Sequence, residues 1–262
     1  MGAERTALRY GTIVVIGGGC YGRYYLRQLR RAATAGAIGW ERLLLVDRDP
    51  HCAATAMLAA DAGSRAAPPA ALQVAEWGAF LDAWLPGSRD EDAIVPSPLM
   101  PHVFYEYLER RARSRWPTRV ASRVEALAAI GTPWERAAPD GTRFVSHADW
   151  ICPVNCIEPA RCPVTRGVRD WSMPVTIARA APGGGTAPRL GPFIFACTHR
   201  AYGVGMVDAS AIVAADTAIA AGGQAGPVEA IIATVSHCHG AVAGLRIAGA
   251  PVPLRPRSGE IS

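Results

Sequence analysis

Apolar positions along this chain fall into short continuous runs and helical stripes, and the two alternate. The run TIVVI at Thr12–Ile16 is apolar and largely β-branched, the pattern of a strand buried on both faces. A stripe follows with Tyr21, Tyr25 and Leu29 on one side and Arg23, Arg27, Arg30 and Arg31 largely on the other, which predicts a helix. RLLLVDRD, ALQVAEW and EDAIVPS read as three further strands, the last stopped by Pro96. Between them, residues 49–63 predict a helix capped by Asp49 with Pro50 in its first turn, and GAFLDAWL a shorter one. PLMPHVFYEYLERRARSRW predicts another helix, with Pro101 near its start. Such alternation is the βαβ pattern of a parallel sheet.

From about Thr118 the pattern weakens. GTPWERAAPDGTRF predicts a hairpin turning at Asp140-Gly141, and RAAPGGGTAPRLG a surface loop. Regular structure returns with PFIFAC, a strand ending at Cys197. An alanine-rich helix follows, with Asp208 as its N-cap, and then the strand VEAIIATV. SHCHGAVAGLRIAG begins as a polar turn and continues either as a short helix or as an extended segment. The expected fold is α/β, with a doubly wound, mostly parallel sheet. Residues 8–117 form a first unit; residues 118–262 are either a second α/β part or a continuation of the same domain.

The loop between the first strand and its helix is the most informative stretch. Gly17, Gly19 and Gly22 give G-x-G-x-x-G. The first glycine permits a tight turn, the second lets backbone approach a pyrophosphate, and the third lets helix pack on strand. The helix N-terminus, beginning near Cys20 and Tyr21, offers free N–H groups to an anion. Asp47 ends the second strand, where an acidic residue accepts hydrogen bonds from ribose hydroxyls, and Arg48 beside it suits a 2′-phosphate. Over about 115 residues, on these few positions, the chain resembles the NAD(P)-binding Rossmann superfamily. The resemblance implies a cofactor site of Gly17, Gly19, Cys20, Tyr21, Gly22, Asp47, Arg48 and Pro96, with NAD or NADP as cofactor. A doubly wound fold without a dinucleotide is the competing reading.

Composition narrows the chemistry. The chain has 262 residues, half of them hydrophobic, enough for one large core or two modest ones. All 27 basic residues are arginine, which excludes a Schiff base, a lysine base and a phosphate-binding lysine. The net charge of +5 is spread out. The cluster Arg110, Arg111, Arg113 and Arg115 reads as a solvated helix face, so nucleic acid is not an expected partner. No apolar run has the length of a membrane span, and the N-terminal run leads into glycines, not a cleavage site. A cytoplasmic protein acting on a small molecule, alone or as an oligomer, is the expectation.

Seven cysteines remain to be placed. Cys152, Cys156 and Cys162 have spacing C-x3-C-x5-C, unlike zinc ribbons or the usual ferredoxin run, though two are stiffened by a following proline. They read as ligands of zinc or an iron–sulfur cluster with Cys238 as fourth donor and Cys197 as a further option, as redox thiols, or as small buried residues. Glu158 within the loop suits a ligand or a base, and Arg169 with Asp170 a supporting ion pair. THRAYG after PFIFAC and SHCHG after VEAIIATV are polar clusters at two strand ends. With parallel strands, His199, Arg200, His237 and His239 meet on the glycine-loop edge, near His102 after the fourth strand. Histidine suits proton transfer and arginine a carboxylate. The function expected is an NAD(P)-dependent oxidoreductase for a small carbonyl or acidic substrate. The alternatives are a non-catalytic redox or nucleotide sensor and a protein handling metals or tetrapyrroles.

Overall fold

The computed structural model describes residues 7–60, 69–125, 127–153, 156–180 and 188–249. In chain order these form β1 Leu8–Ile16, α1 Cys20–Thr34, β2 Ile38–Asp47, α2 Thr55–Ala60, β3 Ala70–Val74, α3 Trp77–Trp84 and a 3-10 turn at Leu85–Gly87. Next come β4 Ala93–Val95, α4 Val103–Arg115, β5 Ala121–Arg123, β6 Trp134–Ala137, β7 Arg143–Ser146 and α5 Met173–Ala180. The chain continues through β8 Arg189–Ala196, β9 Thr198–Ala201, β10 Val204–Asp208, α6 Ala209–Ala225, β11 Val228–Val235 and β12 His239–Ile247. The fold is α/β with two mixed sheets.

The first sheet has strand order β3-β2-β1-β4-β10-β9. Its first four strands are parallel, whereas β10 joins β4 antiparallel and β9 joins β10 antiparallel. The second sheet runs β6-β7-β12-β11-β8, with β5 also on β12. Only its β8–β11 pair is parallel. The sheets are thus mixed, not mostly parallel, because β9–β10 and β11–β12 fold back as hairpins.

Period-two alternation explains the layering. Ile13 and Val15 of β1 pack with Leu26 and Leu29 of α1, while Val14 and Ile16 face the opposite side. On that side lie Leu81 of α3, Phe104 and Leu108 of α4, and Ile212 and Ile219 of α6. The same cluster continues into Val228, Ala230 and Ile232 of β11 and Leu245 of β12. Ile231, Ala233 and Val235 point the other way, onto Met173 and Ile177 of α5. Three helices are therefore sandwiched between two sheets, with α1 and α5 outside. Phe104 and Phe195 meet edge to face at 5.4 Å and join α4 to β8.

Several sequence expectations change in this context. Of the arginines of α4, only Arg113, beside Glu109, lies on a solvated face. Arg110 pairs with Asp82 of α3, and Arg111 and Arg115 both grip Asp216 of α6. The helix expected from Asp49 begins only at Thr55, because the Asp49 carboxylate accepts from His51 N–H and closes a turn, and residues 61–63 lie outside the described residues. Most of the expected glycine-rich surface loop, residues 181–187, also lies outside them. Asp208 does stand at the N-cap of α6, but its carboxylate is held by Arg200 and caps nothing. THRAYGVG, read from the sequence as a polar cluster at a strand end, is a hairpin whose two turn residues, Tyr202 and Gly203, have φ 48° and 77°. The segment after SHCHG is extended, as β12.

Because one apolar cluster spans both sheets, we expect a single unfolding transition. Phe104→Ala should cost about 3–5 kcal/mol and leave circular dichroism and tryptophan fluorescence coincident in urea. Two separated transitions would show that the sheets unfold independently.

Candidate functional site

Each glycine of the first loop has an identifiable task. Gly17 turns the chain with φ 88°, a conformation that favours glycine. A Cβ on Gly22 would collide with the Gly17 carbonyl oxygen, so α1 can lie this close to β1 only with glycine there. At Gly19, by contrast, an added Cβ would meet nothing within 4 Å. Gly19 is also the N-cap of α1, with no side-chain cap and no acidic residue in the first turn. The helix therefore presents an uncapped, positively polarised N-terminus to open space.

Asp47 underpins this loop. Its Oδ2 accepts from Gly18 N–H at 2.6 Å and its Oδ1 from Asp49 N–H at 2.9 Å. A carboxylate accepts about four hydrogen bonds, so acceptor capacity remains for a ligand hydroxyl. Arg48 forms an exposed 3.6 Å ion pair with Glu76, which puts a negative charge at the ends of β2 and β3.

Beyond the loop, three adjoining cavities form one crevice. A cavity of about 380 Å³ is lined by Cys20, Tyr21, Tyr24, Tyr25, Cys156 and His199. A second, of about 220 Å³, shares His199 and adds Glu158, Cys197, Ser236 and His237. A third, of about 380 Å³, shares Tyr25, Cys197 and Ser236, and reaches Pro96 and Ser97 after β4 and His239 at the start of β12. The crevice lies where the chain leaves the second sheet at Ala196 and enters the first at Thr198, with Cys197 between them. The parallel pairing of β8 and β11 brings their ends together: Cys197 N–H donates to the Val235 carbonyl at 2.7 Å. The two polar clusters read from the sequence thus meet: they follow β8 and β11, parallel neighbours in the second sheet, and the first of them continues into β9 of the other sheet.

Glu158 is the hub of the crevice. Its side chain is only 9 % exposed. Oε1 accepts from the Ser236 hydroxyl at 2.6 Å and Cys238 N–H at 3.0 Å, and Oε2 from His237 N–H at 2.8 Å. Nδ1 of His199 lies 3.7 Å from Oε2. Burial alone would raise the Glu158 pKa. The Ser236 hydroxyl and the two backbone N–H donors outweigh it and hold the carboxyl below its usual range. Burial lowers the pKa of His199, with Arg169 acting in the same sense and Glu158 against it.

The other expected residues divide. His239 shares a 2.9 Å hydrogen bond with Ser146 through Nδ1, and burial lowers its pKa. His237 contributes its backbone to Glu158 and its side chain to the cavity wall. His102 leans on Phe144, 5.4 Å between ring centroids, near Arg123 and Asp140. Arg200, expected to bind a substrate carboxylate, is committed to the fold. It forks onto both oxygens of Asp208 and also reaches Thr198 and Tyr10, because the β9–β10 hairpin turns its side chain along the first sheet.

All seven cysteines are free, and no group of three or more metal-ligating side chains is gathered among the described residues. Cys152 is kept neutral by burial and by its neighbours Cys156 and Cys162. Cys162 differs: the Thr165 backbone N–H, the Thr165 hydroxyl and the Val164 N–H stabilise its thiolate and lower its pKa. Cys238 is buried under Trp171, whose indole N–H donates to its sulfur at 3.3 Å. Burial pushes Cys197 up to about 12. Arg169 donates to the Pro159 carbonyl, so it ties residues 159–169 into a hairpin in place of the expected pair with Asp170.

Sequence reasoning missed Tyr24, Tyr25 and Ser146 as site residues, and it read Glu158 as a ligand or a base without its partners Ser236, His237 and Cys238. Only the tyrosines carried a signal, their proximity to the glycine loop. A family model, AF_1314_C, described as "Uncharacterized protein, C-terminal domain", matches residues 105–248. That span runs from α4 to the residue after β12; it contains the cysteine loop and both histidine clusters but not the glycine loop. No curated protein and no solved structure matches the chain.

Glu158 should also mark the pH dependence of stability. Its folded pKa lies below the ordinary 4.5. Its contribution is therefore complete above that value and is lost as pH falls through the folded pKa. Glu158→Gln should cost about 2 kcal/mol at neutral pH, and the gap from wild type should close in acid. Urea midpoints across pH 3–7 (a range of roughly four units around the carboxylate transition) would show it; a pH-independent gap would contradict this electrostatic account.

Proposed function

The chain belongs to the AF_1314_C family, and we propose that it is an NAD-dependent oxidoreductase acting on a small alcohol or carbonyl compound. The observation that carries this reading is the cradle at Gly19: open space above an uncapped helix N-terminus, with Gly17 turning the chain at φ 88° and Gly22 letting helix lie close to strand. The parallel order β3-β2-β1-β4, with β1 and β4 buried at its centre, resembles that of a Rossmann-like dinucleotide unit and supports the same reading.

In this reading Gly17–Gly22 hold the pyrophosphate, and Asp47 the adenosine ribose. Pro96, Ser97 and Tyr25 border the space at the end of β4 for the nicotinamide end. The Arg48–Glu76 pair favours NAD over NADP, since Glu76 would repel a 2′-phosphate where Arg48 would attract one. A bound nicotinamide supplies or accepts a hydride. The chain's own part is to bind the substrate oxygen and move its proton. His199, shared by two of the cavities, is placed for proton transfer, and His239, fixed by Ser146, for a hydrogen bond to the substrate. An acidic substrate is less suited, because Arg200 is spent on Asp208.

Gly19→Val should weaken NADH binding roughly tenfold to a hundredfold while leaving the melting temperature unchanged, since its Cβ meets no protein atom. Asp47→Ala should weaken NADH more than NADPH. Fluorescence titration with both nucleotides measures these effects. Unchanged NADH affinity in folded Gly19→Val, or no binding by wild type, would reject the dinucleotide reading.

A further inference from the structure

We propose that Glu158 is a positioning residue: its carboxylate holds His199 as the Nδ1–H tautomer, leaving the Nε2 lone pair to take the proton. The inference rests on the proton-transfer role given to His199 above, but it concerns an arrangement that exists without nucleotide.

Glu158 is poorly suited to be the base itself. Three donors converge on its two oxygens, and each favours the ionised form. It acts as a fixed anion. The backbone at Glu158 adopts φ 52°, a conformation that side-chain-bearing residues avoid. That conformation carries the carboxylate from a largely exposed loop into the crevice. Ile157 beside it lines the same cavity and packs against Gly203 of the β9–β10 turn, where a Cβ would lie 2.6 Å from its Cγ2.

The geometry then decides the state of the imidazole. Oε2 faces Nδ1 of His199, and a neutral ring lowers its energy by turning an N–H, not a lone pair, toward an anion. The charged groups that face this ring are Glu158 and Arg169. Among the described residues Nε2 has no hydrogen-bond partner. One carboxylate thus fixes three things: the Ser236–Cys238 turn, the seat of residues 156–158, and the tautomer of His199. A purely structural clip would need the first two but not the third.

The tautomer can be read directly by long-range nitrogen–proton correlation spectra of imidazole-labelled protein, at a pH where the ring is neutral and with His199→Gln to assign the signal. Wild type should show His199 mainly as Nδ1–H. In Glu158→Gln the ratio of Nδ1–H to Nε2–H should fall by about tenfold, with His237 and Cys238 amide signals showing that the turn persists. Ser236→Ala, which removes one donor but leaves the carboxylate, should keep the wild-type tautomer. An Nε2–H tautomer in wild type, or an unmoved tautomer in folded Glu158→Gln, would overturn the proposal. The wild-type spectrum decides even if the variant does not fold. Because no nucleotide is used, failure here is distinct from loss of the dinucleotide reading in the Gly19→Val titration.

Discussion

The chain changes sheets across a single residue, Cys197, and much of the structure follows from that constraint. β8 and β9 are consecutive in sequence but belong to different sheets, so the two sheets must approach closely at that point. The sulfur of Cys197 is enclosed there; a Cβ on Gly205 of the neighbouring strand would lie 2.6 Å from it. Elsewhere the sheets are held apart by α3, α4 and α6, whose apolar faces fill the gap and whose Asp216 collects two arginines of α4. The crevice is the wedge left where the two sheets close at one edge.

A wedge of this kind desolvates whatever lines it. The thiol of Cys197 stays neutral, the phenol of Tyr25 is pushed up to about 12, and His199 and His239 are held toward their neutral forms, in each case chiefly by burial. Glu158 escapes the same fate only because three donors are aimed at it. The site therefore combines neutral imidazoles with one fixed negative charge. In low dielectric such a charge orients nearby dipoles more strongly than it would in water. The same physics makes Arg200 unavailable: a guanidinium already forked onto Asp208 gains little by turning to a ligand.

The family match and the glycine loop fall on different parts of the chain, 105–248 and 17–22. The crevice draws on both. Tyr25 comes from the helix after the glycine loop, and Glu158, His199 and Ser236 from the matched span. Strand β10 also comes from that span yet pairs with β4 of the first sheet. The matched region is thus woven into the first sheet and does not simply follow it.

Local chemistry made part of this legible in the sequence. Continuous apolar runs marked β1, β2 and β11 because a strand buried on both faces needs no polar position. The glycine spacing marked the β1–α1 turn, since only glycine satisfies the backbone angle at Gly17 and the close contact at Gly22. Asp140-Gly141 likewise marked a hairpin. What the sequence did not contain was any interaction between distant segments. That Glu158 meets Ser236, that Arg200 turns to Asp208, and that the arginines of α4 meet Asp216 depends on which strands pair and on which side each face lies. A carboxylate or guanidinium looks the same in sequence whether it faces solvent, a ligand or a partner. Only the packed structure assigns its partner, because burial makes an unpaired charge too costly to leave alone.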